Sequence, residues 1–274
     1  MIDRATSGRR TPIGVFDSGV GGLTVLRALR EALPAEDFIY LGDTARLPYG
    51  TKSRDTVVRY STQCAAALLS RGVGCLVVAC NTASASALGA LSLRYSSVPI
   101  IGVIEPGAQA AVAASVSQHI AVIGTEATIS GGAYQTAIRR RSGAARVTAR
   151  ACSMFVALAE EGWTDGPVTE LVARRYLEPM FSGGDAPDTL VLGCTHFPIL
   201  TAAIRSVVPL HVRIIDSAAT TAAEVLRRIA PSADAADRGR VTWLATDGAE
   251  RFARVGSTFF GEALHADKIE IIDL

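Results

Sequence analysis

The chain has 274 residues, of which 49% are hydrophobic and 19% are charged, a composition typical of a globular protein with one large or two small domains. The net charge of +1 provides no general attraction to nucleic acid or to a membrane surface. The most apolar long window, 98–116, contains Glu105 and two prolines and is therefore a poor membrane span. We expect neither a nucleic-acid partner nor a membrane partner.

Residues 1–11 are polar and lack an apolar core, so we interpret them as an N-terminal tail and not as a secretory signal. The odd number of cysteines, five, favours free thiols in a reducing compartment, and we expect a cytoplasmic protein. No spacing forms CxxC, and the histidines lack zinc-ligand spacing, so no metal site is expected. Lys52 lies in a polar loop and Lys268 near the end of the chain; neither resembles a Schiff-base residue, and no pyridoxal phosphate or other cofactor is expected.

The first part of the chain alternates apolar runs of strand length with helical patterns. A glycine-rich turn, 17–22, separates the first strand from the first helix; it suits either an anion at a helix N-terminus or a tight turn without a ligand. The pattern predicts strands at 13–16, 38–41, 75–79 and 98–104, and helices at 23–33, 56–69 and 85–93.

The pattern restarts at residue 120 and continues to the end of the chain. It predicts strands at 120–123, 147–151, 189–193, 212–215, 241–245 and, at an edge, 269–272. Helices are predicted from the end of segment 124–128 to about 141 and at 168–181, 199–207, 220–229 and 247–264. This alternation indicates an α/β fold with parallel sheets, in which ligands bind at the carboxyl ends of the strands.

Two strands end in a cysteine followed by polar residues. Cys194 lies 114 positions after Cys80, and the strands that open the two parts, at 13 and 120, are 107 positions apart. Such similar offsets indicate a chain built as two related halves, each with one cysteine at a strand end. Cys80 also precedes a helix, whose dipole is expected to lower the pKa of the thiol.

Two thiols on opposite sides of one carbon suit stereochemical inversion, because one removes the α-proton of an amino acid and the other returns a proton to the opposite face. Asp17, at the end of the first strand, is placed to tune Cys80, and His196 to tune Cys194. For His196 alone, the alternative is a hydrogen-bonded core histidine. Glu160 and its neighbour at 161 lie on a polar connection and are either solvent-facing or an acid–base partner.

Four segments, in the same order, resemble motifs of the glutamate racemase family, within the aspartate/glutamate racemase superfamily. They are Phe16–Val25 (FDSGVGGLTV), Leu41–Gly50 (LGDTARLPYG), Ala79–Ala83 (ACNTA) and Leu192–Pro198 (LGCTHFP). The resemblance runs from about residue 12 to residue 274. It implies two pseudo-symmetric parallel-sheet α/β domains, the second inserted into the first, as 12–102 plus 216–274 against 103–215, with the active site in the cleft between them.

The resemblance also implies the activity, which is racemisation of L-glutamate to D-glutamate for bacterial peptidoglycan, without a cofactor. Cys80 and Cys194 would be the proton donor and acceptor, assisted by Asp17, His196 and Glu160, with the acid at 161 as the alternative to Glu160. The implied substrate-binding residues are Asp17, Ser18, Tyr49, Gly50, Asn81, Thr82, Thr195 and His196. A homodimer is expected.

Three alternatives remain at this point. Aspartate and hydantoin racemases share the two-cysteine scheme, and the Asp17–Gly19 and Pro48–Gly50 segments favour glutamate only by resemblance. A two-lobed α/β binding protein would use the cleft without chemistry, but would need no paired thiols. A redox enzyme is disfavoured by the absence of CxxC.

Overall fold

Two parallel β-sheets form the framework of the computed structural model, which describes residues 11–229 and 238–274. Of the tail expected at 1–11, residues 1–10 lie outside the described residues. The strands are β1 (Ile13–Asp17), β2 (Phe38–Gly42), β3 (Cys75–Val78), β4 (Ile100–Gly102), β5 (His119–Gly124), β6 (Arg146–Ala151), β7 (Thr189–Gly193), β8 (Arg213–Asp216), β9 (Val241–Ala245) and β10 (Ile269–Ile271).

Helices cover the faces of both sheets. They are α1 (Leu23–Ala32), α2 (Arg54–Ser70), α3 (Asn81–Arg94), α4 (Ile104–Ala114), α5 (Glu126–Ser130), α6 (Ala133–Arg141), α7 (Met154–Glu160), α8 (Gly166–Phe181), α9 (Thr201–Arg205), α10 (Ser217–Arg228) and α11 (Ala249–Phe260). Short 3-10 turns occur at Thr44–Arg46, Tyr49–Thr51, Phe197–Leu200 and Ala266–Lys268. Within the described ranges, no helix is long and apolar enough to cross a membrane.

The two sheets have the same internal order. The larger is β10-β9-β2-β1-β3-β4 and the smaller is β6-β5-β7-β8, so β2-β1-β3-β4 corresponds to β6-β5-β7-β8. The register repeats as well, because Ile13 pairs with Cys75 in the first sheet and Ile120 with Thr189 in the second, at the same offsets of 107 and 114 residues. All four strands of the smaller sheet lie between β4 and β9 in the chain. The expected architecture of two parallel α/β domains, the second inserted into the first, is confirmed.

Burial explains which sequence patterns identified strands. The central strands β1, β3 and β7 are buried at every position, as parallel strands covered on both faces are, and they appear in the sequence as unbroken apolar runs. The edge strand β6 is only partly buried and carries arginines at both 146 and 150. Helix α1 buries Leu23, Leu26 and Leu29, the helical repeat that predicted it.

Several boundaries differ from the sequence-based predictions. The strand expected at 98–104 is only β4, and helix α4 begins at Ile104 with Pro106 in its first turn, where a missing backbone N–H costs no hydrogen bond. The apolar run therefore continues from a strand into a buried helix. The helix expected after residue 128 begins earlier, at Glu126, and is divided into α5 and α6 by Gly131 and Gly132, the latter with a φ of 64°.

Other helices start or stop at points set by local geometry. Helix α3 begins at Asn81, and Cys80 occupies its N-cap, so the thiol lies at a helix N-terminus as expected. Helix α11 ends at Phe260 because Gly261 takes a left-handed φ of 83°. The helix expected at 199–207 is a 3-10 turn followed by the short α9.

Candidate active site

The carboxyl ends of β3 and β7 bring the two candidate cysteines to equivalent places. Cys80 comes two residues after the end of β3, and Cys194 directly follows β7. Both are buried, each with 5% of its surface exposed. The glycine-rich turn after β1 contacts both cysteine segments, because Ser18 Oγ accepts from the Cys80 thiol at 3.7 Å and a Cβ on Gly21 would lie 2.4 Å from His196 Nδ1. The fold thus directs one thiol from each half into a common site.

Cys80 caps helix α3. Its Sγ accepts a hydrogen bond from Ala83 N at 3.4 Å, and its thiol donates to Ser18 Oγ at 3.7 Å. Burial, followed by the nearby Asp17, raises the pKa of Cys80 to about 12, and the Ala83 N–H and Ser18 offset this only partly. The expectation that the helix would lower this pKa was wrong, because desolvation of the thiolate outweighs the favourable helix terminus.

Asp17 and Asn81 each have one unsatisfied polar atom. Asp17 is fully buried; Oδ2 accepts from Gly19 N at 3.0 Å, while Oδ1 has no hydrogen-bond partner among the described residues. Burial raises the pKa of Asp17, opposed by the charge of His196. Asn81 Oδ1 accepts from Tyr134 OH at 2.8 Å, whereas Nδ2 finds no partner in the described part of the chain. The site therefore contains one free carboxylate oxygen and one free amide donor.

His196 links Cys194 to Glu160. His196 Nδ1 lies 3.8 Å from Cys194 Sγ, and Nε2 lies 3.1 Å from Glu160 Oε1. Burial would lower the pKa of His196, but the contacts with Cys194 and Glu160 outweigh it and raise the pKa to about 10. These two contacts therefore favour the imidazolium over the neutral ring. Glu161 is exposed, so Glu160 is the acid that contacts the site.

Elements of the first half hold the His196 ring. A Cβ on Gly21 would lie 2.4 Å from His196 Nδ1, so only a glycine allows this approach. The Phe259 ring, on α11, meets His196 edge-on with centroids 5.1 Å apart. The carbonyl of Thr195 accepts from Thr24 Oγ1 at 3.1 Å. The Cys194 segment is therefore packed against both α1 and α11.

Three threonine hydroxyls join the two halves beside Asn81. Thr82 Oγ1 lies 3.0 Å from Thr125 Oγ1 and 3.1 Å from Thr128 Oγ1, and the last two are 3.0 Å apart. Gly50 packs against Thr125 so closely that a Cβ on Gly50 would lie 2.7 Å from Thr125 Cβ. This contact brings the 49–51 turn against α5.

Tyr49 is fixed by a buried acid. Its hydroxyl donates to Asp43 Oδ2, and Asp43 also accepts from Arg46 Nε, at 2.9 and 2.8 Å to its two oxygens, and from Thr246 Oγ1 at 3.0 Å. Asp43 is itself fully buried. The loop that presents Tyr49 and Gly50 is thereby attached to the end of β2 and to the loop after β9.

The structure brings together all of the predicted site residues and adds others that sequence reasoning missed. The additions are Asp43, Thr125, Thr128, Tyr134 and Arg251, the last of which donates to Glu160 Oε2 at 2.9 Å. One signal was available: Thr125 follows β5 as Ser18 follows β1, 107 residues earlier. No group of three or more potential metal ligands occurs in the ranges 11–229 and 238–274.

Comparison with known proteins agrees with this geometry. The family model for Asp/Glu/Hydantoin racemase matches residues 13–225. A glutamate racemase of Geobacter metallireducens is 51% identical over 255 residues, covering 92% of this chain and 93% of that protein. The crystal structure of glutamate racemase from Thermus thermophilus in complex with beta-chloro-D-alanine has a TM-score of 0.84 and 44% identity, covering 97% of this chain and 98% of that one.

A further solved structure, glutamate racemase from Francisella tularensis in complex with D-glutamate, has a TM-score of 0.87 and 34% identity, covering 96% of this chain and 98% of that one. The similarity thus spans both halves and the cleft between them. The chain belongs to the Asp/Glu/Hydantoin racemase family, and it is an isomerase of the glutamate racemase group.

Proposed function

We propose that this chain interconverts L- and D-glutamate by proton transfer between Cys80, Cys194 and the substrate α-carbon. The observation that carries the proposal is the placement of one buried thiol at the equivalent strand end of each half, with the turn after β1 in contact with both cysteine segments. The D-glutamate bound in the Francisella tularensis relative supports glutamate as the substrate.

In the proposed reaction, the thiolate of one cysteine takes the α-proton, and the C–H bonding pair stays on the α-carbon and its carboxylate as a planar carbanion. The thiol of the other cysteine then gives its proton to the opposite face. The first cysteine ends as thiol and the second as thiolate, so the proton balance closes and nothing is oxidised or reduced. Proton exchange with solvent restores the starting state.

The two unsatisfied atoms of the site match an amino acid. Asp17 Oδ1 is a free acceptor suited to the α-ammonium group, and Asn81 Nδ2 is a free donor suited to a carboxylate. Tyr134 fixes this assignment for Asn81, because it occupies the amide oxygen. Neither atom has a hydrogen-bond partner in the described ranges, and burying such a group unpaired destabilises the free protein. Binding of the substrate would pair both groups.

The remaining roles follow from the contacts of each residue. We assign His196, held by Glu160, to donate from Nδ1 toward the Cys194 sulfur and stabilise its thiolate. Asp17 sets the protonation of Cys80, whose pKa it raises. We assign substrate contacts to the hydroxyl or backbone groups of Ser18, Gly50, Thr82 and Thr195. For Tyr49 we assign the backbone, because its hydroxyl donates to Asp43.

The experiment is racemisation in D₂O, started from each enantiomer separately. At early times the product should carry deuterium at the α-carbon, while the unreacted enantiomer stays protiated. Replacing either Cys80 or Cys194 with Ala should cost on the order of 10²–10⁴ in rate, the range for one general acid–base group. Deuterium entering the starting enantiomer as fast as the product, or normal racemisation by either variant, would replace this scheme with a single-base mechanism. L-Aspartate, assayed in parallel, tests the substrate assignment.

We further infer that the domains are 12–102 plus 216–274 and 103–215, that the protein is a cytoplasmic homodimer, and that it supplies D-glutamate for peptidoglycan. Membership of the glutamate racemase group supports the cell-wall role. Rescue of a D-glutamate-requiring bacterial strain tests that role, and sedimentation equilibrium tests the dimer. Growth that still needs added D-glutamate, or a monomer at all concentrations, would contradict the respective inference.

A further inference from the structure

We propose that Arg251 is a positioning residue that holds Glu160 against His196 across the cleft and so couples closure of the two domains to the proton step at Cys194. This inference rests on the function proposed above. It concerns a side chain that is 50% exposed at the rim of the site and that does not contact either cysteine through any hydrogen bond in the described part of the chain.

The contacts form an unbroken line from the sulfur to the surface. Cys194 Sγ lies 3.8 Å from His196 Nδ1, His196 Nε2 lies 3.1 Å from Glu160 Oε1, and Arg251 Nη2 donates to Glu160 Oε2 at 2.9 Å. Each oxygen of the carboxylate thus has its own partner. Arg251 fixes the rotation of the carboxylate, and the carboxylate fixes the imidazole ring.

The ion pair crosses between the halves. Glu160 is the last residue of α7, which follows β6 of the smaller sheet, whereas Arg251 lies in the first turn of α11, which follows β9 of the larger sheet. Helix α11 contacts the His196–Glu160 pair a second time, because the Phe259 ring packs edge-on against the His196 ring. One helix of the first half therefore holds both members of the second half's His196–Glu160 pair.

The burial of the pair indicates that the contact matters. The Glu160 side chain is only 14% exposed, so its charge needs compensation, which His196 and Arg251 supply. Without Arg251, one carboxylate oxygen would lose its partner, and the carboxylate could turn away from His196. The ring would then no longer hold Nδ1 toward Cys194. If the domains separate to admit substrate, the same contact is lost, so His196 is correctly held only when the cleft is closed.

The test compares Arg251→Gln with Arg254→Gln, which removes the same charge from an exposed position three residues later on α11. We expect Arg251→Gln to lower kcat/KM about 5- to 30-fold, the factor that corresponds to a side-chain coupling of ordinary size. Arg254→Gln should retain full activity, and Arg251→Lys should recover part of the loss. Equal activities of Arg251→Gln and Arg254→Gln would overturn the proposal.

A double-mutant cycle separates positioning from simple stabilisation. If Arg251 acts through Glu160, then Arg251→Gln should have no further effect on kcat/KM in a Glu160→Gln background. Additive losses would show that Arg251 acts independently of Glu160 and would overturn the proposal. Thermal melts of all variants check that the fold is retained.

Kinetic isotope effects distinguish a role of Arg251 in the proton step from a purely structural role, which would not change them. With 2-deuterated substrates, Arg251→Gln should raise the primary isotope effect on kcat/KM for the enantiomer whose proton Cys194 removes, because that step becomes more limiting, and lower it for the other. Equal changes for both enantiomers would contradict a role at Cys194. The proposed function fails separately, if the unmodified enzyme does not racemise glutamate at all.

Discussion

Replacing Gly50 with Ala tests whether close packing across the cleft is needed for activity. The added Cβ would lie 2.7 Å from Thr125 Cβ, 2.9 Å from its Cγ2 and 3.1 Å from its Oγ1. Carbon atoms in ordinary contact are about 3.5–4.0 Å apart, so the two segments must separate by about 1 Å. Three atoms of a β-branched side chain are involved, and no rotation of Thr125 can remove the clash with its Cβ.

The displacement reaches the hydroxyl cluster. Thr125 Oγ1 lies 3.0 Å from both Thr82 and Thr128, and a shift of about 1 Å carries these contacts beyond hydrogen-bonding distance. Overpacking of this kind costs about 1–3 kcal/mol, which corresponds to about 2–5 °C in Tm for a chain of this size. A misplacement of about 1 Å at the reacting groups costs on the order of 10²-fold in rate. We therefore expect Gly50→Ala to lower kcat/KM about a hundredfold.

Circular dichroism of glutamate measures the rate, and differential scanning fluorimetry measures Tm. Gly89→Ala is the matched control, because a Cβ at this exposed position of α3 meets nothing within 4 Å. It should leave kcat/KM unchanged and stabilise the helix by about 0.5–1 kcal/mol. Thr125→Gly removes all three clashing atoms, so adding Gly50→Ala to it should cause no further loss. Unchanged kcat/KM and Tm in Gly50→Ala itself would refute the reasoning.

Three further predictions concern single polar side chains. Asp17→Asn should lower the pKa of Cys80, because the Asp17 charge raises it. The midpoint of the pH profile for alkylation of Cys80 should shift to lower pH, while kcat falls more than substrate affinity. An unshifted alkylation profile would count against this coupling. Tyr134→Phe leaves the Asn81 amide oxygen without its donor and should weaken glutamate binding about 5- to 10-fold in calorimetric titration. Unchanged affinity would show that Asn81 does not contact the substrate. Asp188 has a pKa held well below its usual range, because hydrogen bonds from the 115–117 segment outweigh burial. Asp188→Asn should therefore destabilise the protein above about pH 4, and the difference should shrink below that pH as the carboxylate of the unfolded chain takes up a proton. Urea unfolding that gave the same difference at pH 3 and pH 7 would refute this.

The sequence was sufficient to predict the sheets, because buried parallel strands such as β1, β3 and β7 are continuous apolar runs. The same property caused the error at 98–104. Helix α4 is also buried and apolar, so periodicity could not separate it from β4. Val103, which lies between the two elements, is itself apolar and gives no sign of a boundary.

Site residues could be predicted where the two halves of the chain repeat a pattern, but not where distant segments meet only in the folded structure. Cys80 and Cys194 follow the same strand pattern, so each supported the other. Arg251 reaches Glu160 from 91 residues away, and Tyr134 reaches Asn81 from 53, so no local pattern marks either contact. The predicted direction of the Cys80 pKa shift was wrong for a related reason. A helix terminus can be inferred from sequence, but the extent to which the thiol is desolvated cannot.

The repeated register has a kinetic consequence. Duplicated positions carry different side chains: Asp17 corresponds to Gly124, and His196 corresponds to Thr82. One thiol is thus flanked by a carboxylate and the other by an imidazole, so the complexes with the two enantiomers have unequal ground states. Mirror-image amino acids have equal free energies in water at every pH, so kcat/KM must show one common pH profile in both directions. The difference between the groups that flank the two thiols must then appear at saturating substrate, as separate pH profiles of kcat for L- and D-glutamate.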